Sequence, residues 1–176
     1  MSSRFERTSA HKQFEGKVFS VWSGTFRHED GKEAARDWVE HDGAVGVVAH
    51  DGESIYLVRQ PREAVGAPDL LELPAGKLDV EGEAPLETAK RELAEEIGKA
   101  AEHWEPLLSY YSSPGFTNEE VHLFLATGLS DVEQPAVEED ERIELVVHPL
   151  AELDALIDEV VDAKTLIGLL ELRRRL

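Results

Sequence analysis

Cysteine is absent from this chain of 176 residues, which excludes disulfides and thiolate metal sites. Basic side chains are scarce too: 18 Lys and Arg stand against 37 Asp and Glu, a formal net charge of −19. Binding a phosphate backbone or an anionic lipid surface takes clustered cations, so this balance argues against nucleic-acid and membrane partners. An anionic small molecule would have to be met by bound metal and a few placed arginines, not by the overall field. No apolar run approaches the roughly eighteen residues of a membrane span, and the first residues, MSSRFERTSAHK, lack the apolar stretch of a signal peptide. A soluble, cytoplasmic protein is expected. The seven histidines are scattered without an HExxH pair, and the glycine-rich fingerprint GxGxxG is missing, so zinc-protease and Rossmann readings have no residues to stand on.

What is present is enough for one substantial core, since a chain of this length buries roughly 70% of its unfolded surface. Residues 16–26 and 35–40 read as short strands around the polar turn HEDGKE, a small N-terminal antiparallel β region over residues 1–40. The main domain, 41–176, carries strands at 43–49, 54–58 and 70–73, a helix over 85–98, strands at 106–111, 121–126 and 143–147, and two closing helices near 150–160 and 163–174. Strands before, between and after helices point to an α/β sandwich.

The sharpest feature is Gly76–Gly98, GKLDVEGEAPLETAKRELAEEIG. At 3.6 residues per turn, Glu92, Glu95 and Glu96 share one side of a helix, next to an apolar stripe of Leu86, Ala89, Leu93 and Ile97. Unit charges about 4 Å apart repel by roughly 4 kcal/mol at an effective dielectric near 20, so three converging carboxylates need open water or a cation. Hard divalent ions favour such oxygens and share them with phosphates.

This run resembles the Nudix box, G, five residues, E, seven residues, then R-E-U-x-E-E-x-G-U with U aliphatic. Glu83, Arg91, Glu92, Leu93, Glu95, Glu96 and Gly98 fall at the family spacing; six residues precede Glu83 in place of five, and Lys99 takes the last aliphatic position. A merely solvated acidic face would not require the arginine, the glycine and the upstream glutamate at those positions. The resemblance implies an α/β/α sandwich with a mixed sheet and hydrolysis of a nucleoside diphosphate linked to another moiety. It also implies Mg²⁺, with Mn²⁺ as an alternative, held by Glu92, Glu95, Glu96 and the Ala75 carbonyl. Glu83 is expected to pair with Arg91.

Four flanking segments are similar to the ADP-ribose pyrophosphatase branch of the family. RDWVEH places Arg36 where that branch holds the adenosine diphosphate part, and VRQPR offers Arg62, with Arg59 beside it, to a phosphate or ribose. In LELPAG, Glu72 lies at the active-site edge. In SPGFTNE, Pro114 falls sixteen residues after Gly98, Gly115 permits close backbone approach and Glu119 would face the ribose or a metal-bound water; Tyr110 and Tyr111 lie a little earlier. The acidic run Glu138–Glu141 resembles the branch's catalytic loop. Glu139 is the first candidate for the base, Glu141 the second and a box glutamate, Glu95, the third. The resemblance further implies a homodimer formed through the N-terminal strands, consistent with apolar Val18, Phe19, Val21 and Trp22 there. Hydrolysis of another sugar nucleotide or of a dinucleoside polyphosphate stays open, as does a catalytically silent nucleotide-binding module.

Overall fold

The computed structural model describes residues 4–134 and 142–176, and the chain divides into two compact units. One comprises Met1–Gly43 with Tyr111–Glu120, the other Ala44–Tyr110 with Val121–Leu176. The segment Tyr111–Glu120 thus groups with the N-terminal strands, although a boundary at residue 40 leaves it in the main domain. Among the described residues no helix is long and apolar enough to cross a membrane.

The smaller unit is built on a three-stranded antiparallel sheet, β1 (Phe5–Glu15), β2 (Ser20–His28) and β3 (Glu33–Glu40), in that order. β1 is a strand that the polar N-terminal sequence does not announce. It bulges twice against β2, between Arg7 and Ser9 and between Lys12 and Phe14, and carries exposed Phe5 and Phe14. Trp22 and Trp38, directly opposed across β2 and β3, stack at 6.2 Å with their planes 8° apart, and Phe26 meets Trp38 edge-on at 5.7 Å. Such cross-strand aromatic pairs fix register in a sheet with little other core.

The larger unit holds a mixed sheet in the order β10 (Glu144–Pro149), β5 (Ser54–Arg62), β4 (Ala44–His50), β9 (Glu120–Asp131), β8 (Lys99–Tyr111). β6 (Ala67–Glu72) pairs with β5, and the short β7 (Ala75–Lys77) pairs with β4. The β4–β9 pair is parallel; β4–β5, β5–β10 and β4–β7 are antiparallel. β4 explains the layering. Its apolar run is buried on both faces, as a strand covered by helices on each side must be. Val45, Val47 and Ala49 pack with Ala89, Leu93 and Ile97 of α1 (Pro85–Ile97), while Val48 packs with Leu153 and Leu156 of α2 (Leu153–Glu159) and Leu169 and Leu172 of α3 (Ala163–Arg173). The unit is therefore an α/β/α sandwich. Gly168 lets α3 lie close to the sheet: a Cβ there would stand 2.6 Å from Leu73 Cδ1 and 2.9 Å from Val48 Cγ2.

Lys99, the departure from the aliphatic pattern, begins β8. It pairs with Asp131 at 2.5 Å and lies 5.2 Å from the Tyr56 ring centroid, so its stem and charge are both used.

Candidate active site

The acidic helix forms as its sequence dictates. Pro85 opens α1 at a position where its missing N–H costs nothing. Gly98 closes it in the left-handed conformation (φ 63°), donating its N–H to Ala94. Between them Ala89, Leu93 and Ile97 of the apolar stripe are buried, Leu86 is half-buried, and the glutamates lie beside β7. Gly76 leaves room there: a Cβ on it would fall 2.0 Å from both Cδ and Oε1 of Glu92, so any larger residue would push this carboxylate out of its place.

Arg91 organises the cluster. Its Nη2 reaches Glu83 at 3.2 Å, and its Nη1 donates to Glu92 at 2.8 Å and to Glu95 at 2.9 Å. Thr88 Oγ1 donates to Glu83 at 2.8 Å. The expected Glu83–Arg91 pair is thus present, and its guanidinium and hydroxyl bonds hold Glu83 below the usual carboxylate range. Burial works against the charge of Arg91, but Glu83, Glu92 and Glu95 outweigh it and push its pKa further up.

Glu96 is different. It is buried, and its Oε2 accepts the Ala75 N–H at 2.9 Å. Burial pushes its pKa up to about 8; Glu92 adds to the rise, and the Ala75 N–H, Lys164 and Arg62 oppose it. A carboxylate so placed is costly to ionise alone and gains most from a cation. With Glu92 and Glu95 turned to Arg91, no three acidic or histidine side chains among the described residues stand together as an ion cage. The donor set itself, carboxylates beside the Ala75 backbone, has the chemistry of a hard divalent site.

Beside it lies a second buried carboxylate. Glu72, 1% exposed, accepts two bonds from one edge of the Arg62 guanidinium (Nε to Oε1 2.6 Å, Nη2 to Oε2 2.9 Å) and one from the ammonium of Lys164. Burial alone would raise the Glu72 pKa, but these cations overcome it and the net shift is downward. The resemblance implies a phosphate for Arg62; here its bidentate partner is Glu72. Arg59 lies against Asp69, donating to its carbonyl at 3.3 Å.

Arg36, Gly115 and Glu119 belong to the smaller unit. Arg36 and Gly115 line one cleft of about 470 Å³ together with Arg7, Phe26, Trp38 and Phe116. The loop Ser113–Glu119 is tied to β3 by Val39 N–H to the Phe116 carbonyl (2.7 Å) and His41 N–H to Asn118 Oδ1 (2.9 Å). Glu119 faces His41 at 3.9 Å. Glu139 and Glu141 lie outside the described residues. The segment DAKT, Asp162–Thr165, resembles the start of the last helix in the ADP-ribose pyrophosphatase branch, and that resemblance gives Asp162, Lys164 and Thr165 no role in the site. Their one signal is the D-x-x-T spacing of a helix cap: Asp162 Oδ2 accepts from Thr165 N at 3.0 Å and Oγ1 at 2.6 Å.

Comparison with known proteins fixes the class. The NUDIX domain family matches residues 40–168, and the chain belongs to that family. It is 41% identical over 170 residues to the ADP-ribose pyrophosphatase of Bacillus subtilis (strain 168), covering 94% of this chain and 91% of the relative. It is 39% identical over 170 residues to the ADP-ribose pyrophosphatase of Mycobacterium tuberculosis, covering 94% and 82%. The methanol dehydrogenase activator of Bacillus methanolicus is 39% identical over 168 residues, 93% and 90% of the two chains. Among solved structures, an ADP compounds hydrolase superposes with a TM-score of 0.85 over 98% of this chain and 94% of that one, at 22% identity, which supports the fold.

Proposed function

We propose that the chain is a homodimeric cytoplasmic Nudix hydrolase that cleaves the diphosphate bond of ADP-ribose with water, giving AMP and ribose 5-phosphate. The observation that carries this reading is similarity over nearly the whole chain to two ADP-ribose pyrophosphatases, in a chain whose box glutamates flank a buried Glu96–Ala75 contact. Glu92, Glu95, Glu96 and the Ala75 carbonyl would hold Mg²⁺, or Mn²⁺, which when bound offsets charge on the diphosphate oxygens and orients a water. Glu92 and Glu95, which here accept from Arg91, would turn from it to hold the ion. Glu139 takes the water's proton, with Glu141 and then Glu95 as the alternatives. Arg36 helps to hold the adenosine diphosphate part, Arg62 with Arg59 beside it meets a phosphate or ribose, Glu72 holds Arg62 in place, the Gly115 backbone allows close approach of the ligand, and Glu119 faces the ribose or a metal-bound water. Exposed Phe5 and Phe14 on β1, with Val18 and Phe19 in the turn that follows it, support dimerisation through the N-terminal sheet.

Product analysis tests the assignment. Purified protein with Mg²⁺ is given ADP-ribose, an ADP-hexose, GDP-mannose, NADH, a diadenosine polyphosphate and an oxidised dGTP. AMP and ribose 5-phosphate are expected to form well ahead of all other products; faster turnover of another compound overturns the substrate, and no turnover overturns the activity. Light scattering reads the dimer, and a monomeric mass refutes it. The Bacillus methanolicus relative favours a second reading, activation of an alcohol dehydrogenase; it predicts that dehydrogenase turnover rises when this chain is added.

A further inference from the structure

We infer that the first turn of α3 is a clamp that positions the metal-binding backbone, with Thr165 and Asp162 as positioning residues for the hydrolysis proposed above. Thr165 is fully buried, and its hydroxyl links two segments far apart in sequence. The hydroxyl donates to Asp162 Oδ2 at 2.6 Å and accepts the Leu73 N–H at 2.8 Å, 92 residues away. Asp162 also accepts the Thr165 N–H at 3.0 Å and the Lys164 ammonium at 3.1 Å. Lys164 in turn bonds Glu72. Two consecutive residues, Glu72 and Leu73, are therefore held by one helix turn.

The next two residues give the clamp its purpose. The Pro74 carbonyl accepts the Val47 N–H at 2.8 Å, and the Ala75 amide donates to Glu96 at 2.9 Å. The stretch 72–75 is thereby tied to α3, to the central strand β4 and to α1 in turn. Both Ala75 groups of interest, the carbonyl that would hold the metal and the N–H that bonds Glu96, lie within a few peptide units of the Thr165 hydroxyl bond. A backbone ligand has no rotamer of its own; it can be aimed only by fixing the peptide that carries it. Capping α3 needs only the Asp162 carboxylate and the Thr165 N–H; the bond from the Leu73 N–H to the Thr165 hydroxyl reaches beyond the helix.

Thr165→Val keeps the side chain's shape but deletes the hydroxyl, leaving the buried Leu73 N–H without an acceptor, whereas Thr165→Ser keeps the bond. Asp162→Ala acts on the same chain from its less buried end. A destabilised control is Asp51→Ala. It removes the Asp51 bonds to Ser54 N–H and Tyr56 hydroxyl at the β4–β5 turn, at the opposite end of β4 from the Gly46–Ala75 pair. Mn²⁺ binding to each protein is read by electron paramagnetic resonance without substrate. Thr165→Val and Asp162→Ala are expected to raise the Mn²⁺ dissociation constant about tenfold, while Thr165→Ser and Asp51→Ala stay within about twofold. Thr165→Val binding as tightly as wild type, or Asp51→Ala weakening binding as much, overturns the clamp. The failures are separable. Wild type that binds Mn²⁺ but cleaves no nucleotide defeats the hydrolase reading and leaves the titration to judge the clamp. Wild type that cleaves ADP-ribose while Thr165→Val keeps full Mn²⁺ affinity defeats the clamp alone.

Discussion

Replacing Glu72 by Gln tests the physical account of the site most directly. The substitution keeps the shape and removes one buried negative charge that faces Arg62 and Lys164. Breaking a buried ion pair by removing one partner costs about 3–5 kcal/mol, because the remaining charge stays desolvated. Here the cost is reduced on both sides. The Arg62 side chain is 42% exposed and regains water, and Lys164 retains Asp162 at 3.1 Å. A loss of about 2–3 kcal/mol is therefore expected, a fall in Tm of roughly 4–10 °C for a domain of this size. The sign with pH comes from the lowered Glu72 pKa. Stability from Glu72 is fully present above its unfolded value of about 4.5 and is lost as pH falls through the lower folded value, so the gap between wild type and variant must narrow in acid. Urea unfolding at pH 7.5 and below pH 4.5 measures both. A loss under about 0.5 kcal/mol at pH 7.5, or a gap that does not narrow in acid, refutes the argument. A double-mutant cycle with Arg62→Met isolates the pair; coupling near zero would place the cost elsewhere.

Two other substitutions probe the same site and a third probes the β4–β5 turn. Gly76→Ala forces Glu92 out of its place, since the new Cβ would lie 2.0 Å from its carboxyl carbon; ADP-ribose turnover is expected to fall about a hundredfold, as for a reacting group displaced by about 1 Å, with the circular dichroism spectrum unchanged. Glu96→Gln removes a buried carboxylate whose pKa is raised to about 8. For this group the folded state binds more protons than the unfolded one between pH 4.5 and 8, so in EDTA the variant should be about 1–3 kcal/mol more stable than wild type at pH 8 and no more stable at pH 4. It should also hydrolyse nothing, and measurable turnover would sink its place as a metal ligand. Asp51→Asn gives up a carboxylate held down to about 2 by the Ser54 and Glu53 N–H groups and the Tyr56 hydroxyl. That stability is present above pH 3.8 and lost toward pH 2, so thermal melts of the two proteins should differ at pH 7 and converge near pH 2.

How much was legible in the sequence differs from element to element. The box helix was readable to within a residue at its ends, because Pro85, Gly98 and the apolar stripe act locally. β4 was readable as a short apolar run between turns. β1 was not: its residues are mostly exposed and polar, and it is a strand because β2 supplies partners for its backbone. β8 and β9 run longer than their apolar cores, to Lys99 and Asp131, since sheet hydrogen bonding continues past the buried positions.

The candidate site divides along the same line. That Glu92, Glu95 and Glu96 share a helix face follows from their spacing, because helical periodicity fixes it over a few residues, and the Glu83–Arg91 pair follows from the resemblance to the box. Packing sets the rest: Glu96 is buried while Glu95 is not, Arg62 takes Glu72 as its bidentate partner, and Thr165 holds Leu73. Those facts depend on which surfaces are removed from water and on contacts between residues 92 apart, and neither burial nor long-range pairing is encoded in the spacing of neighbouring side chains.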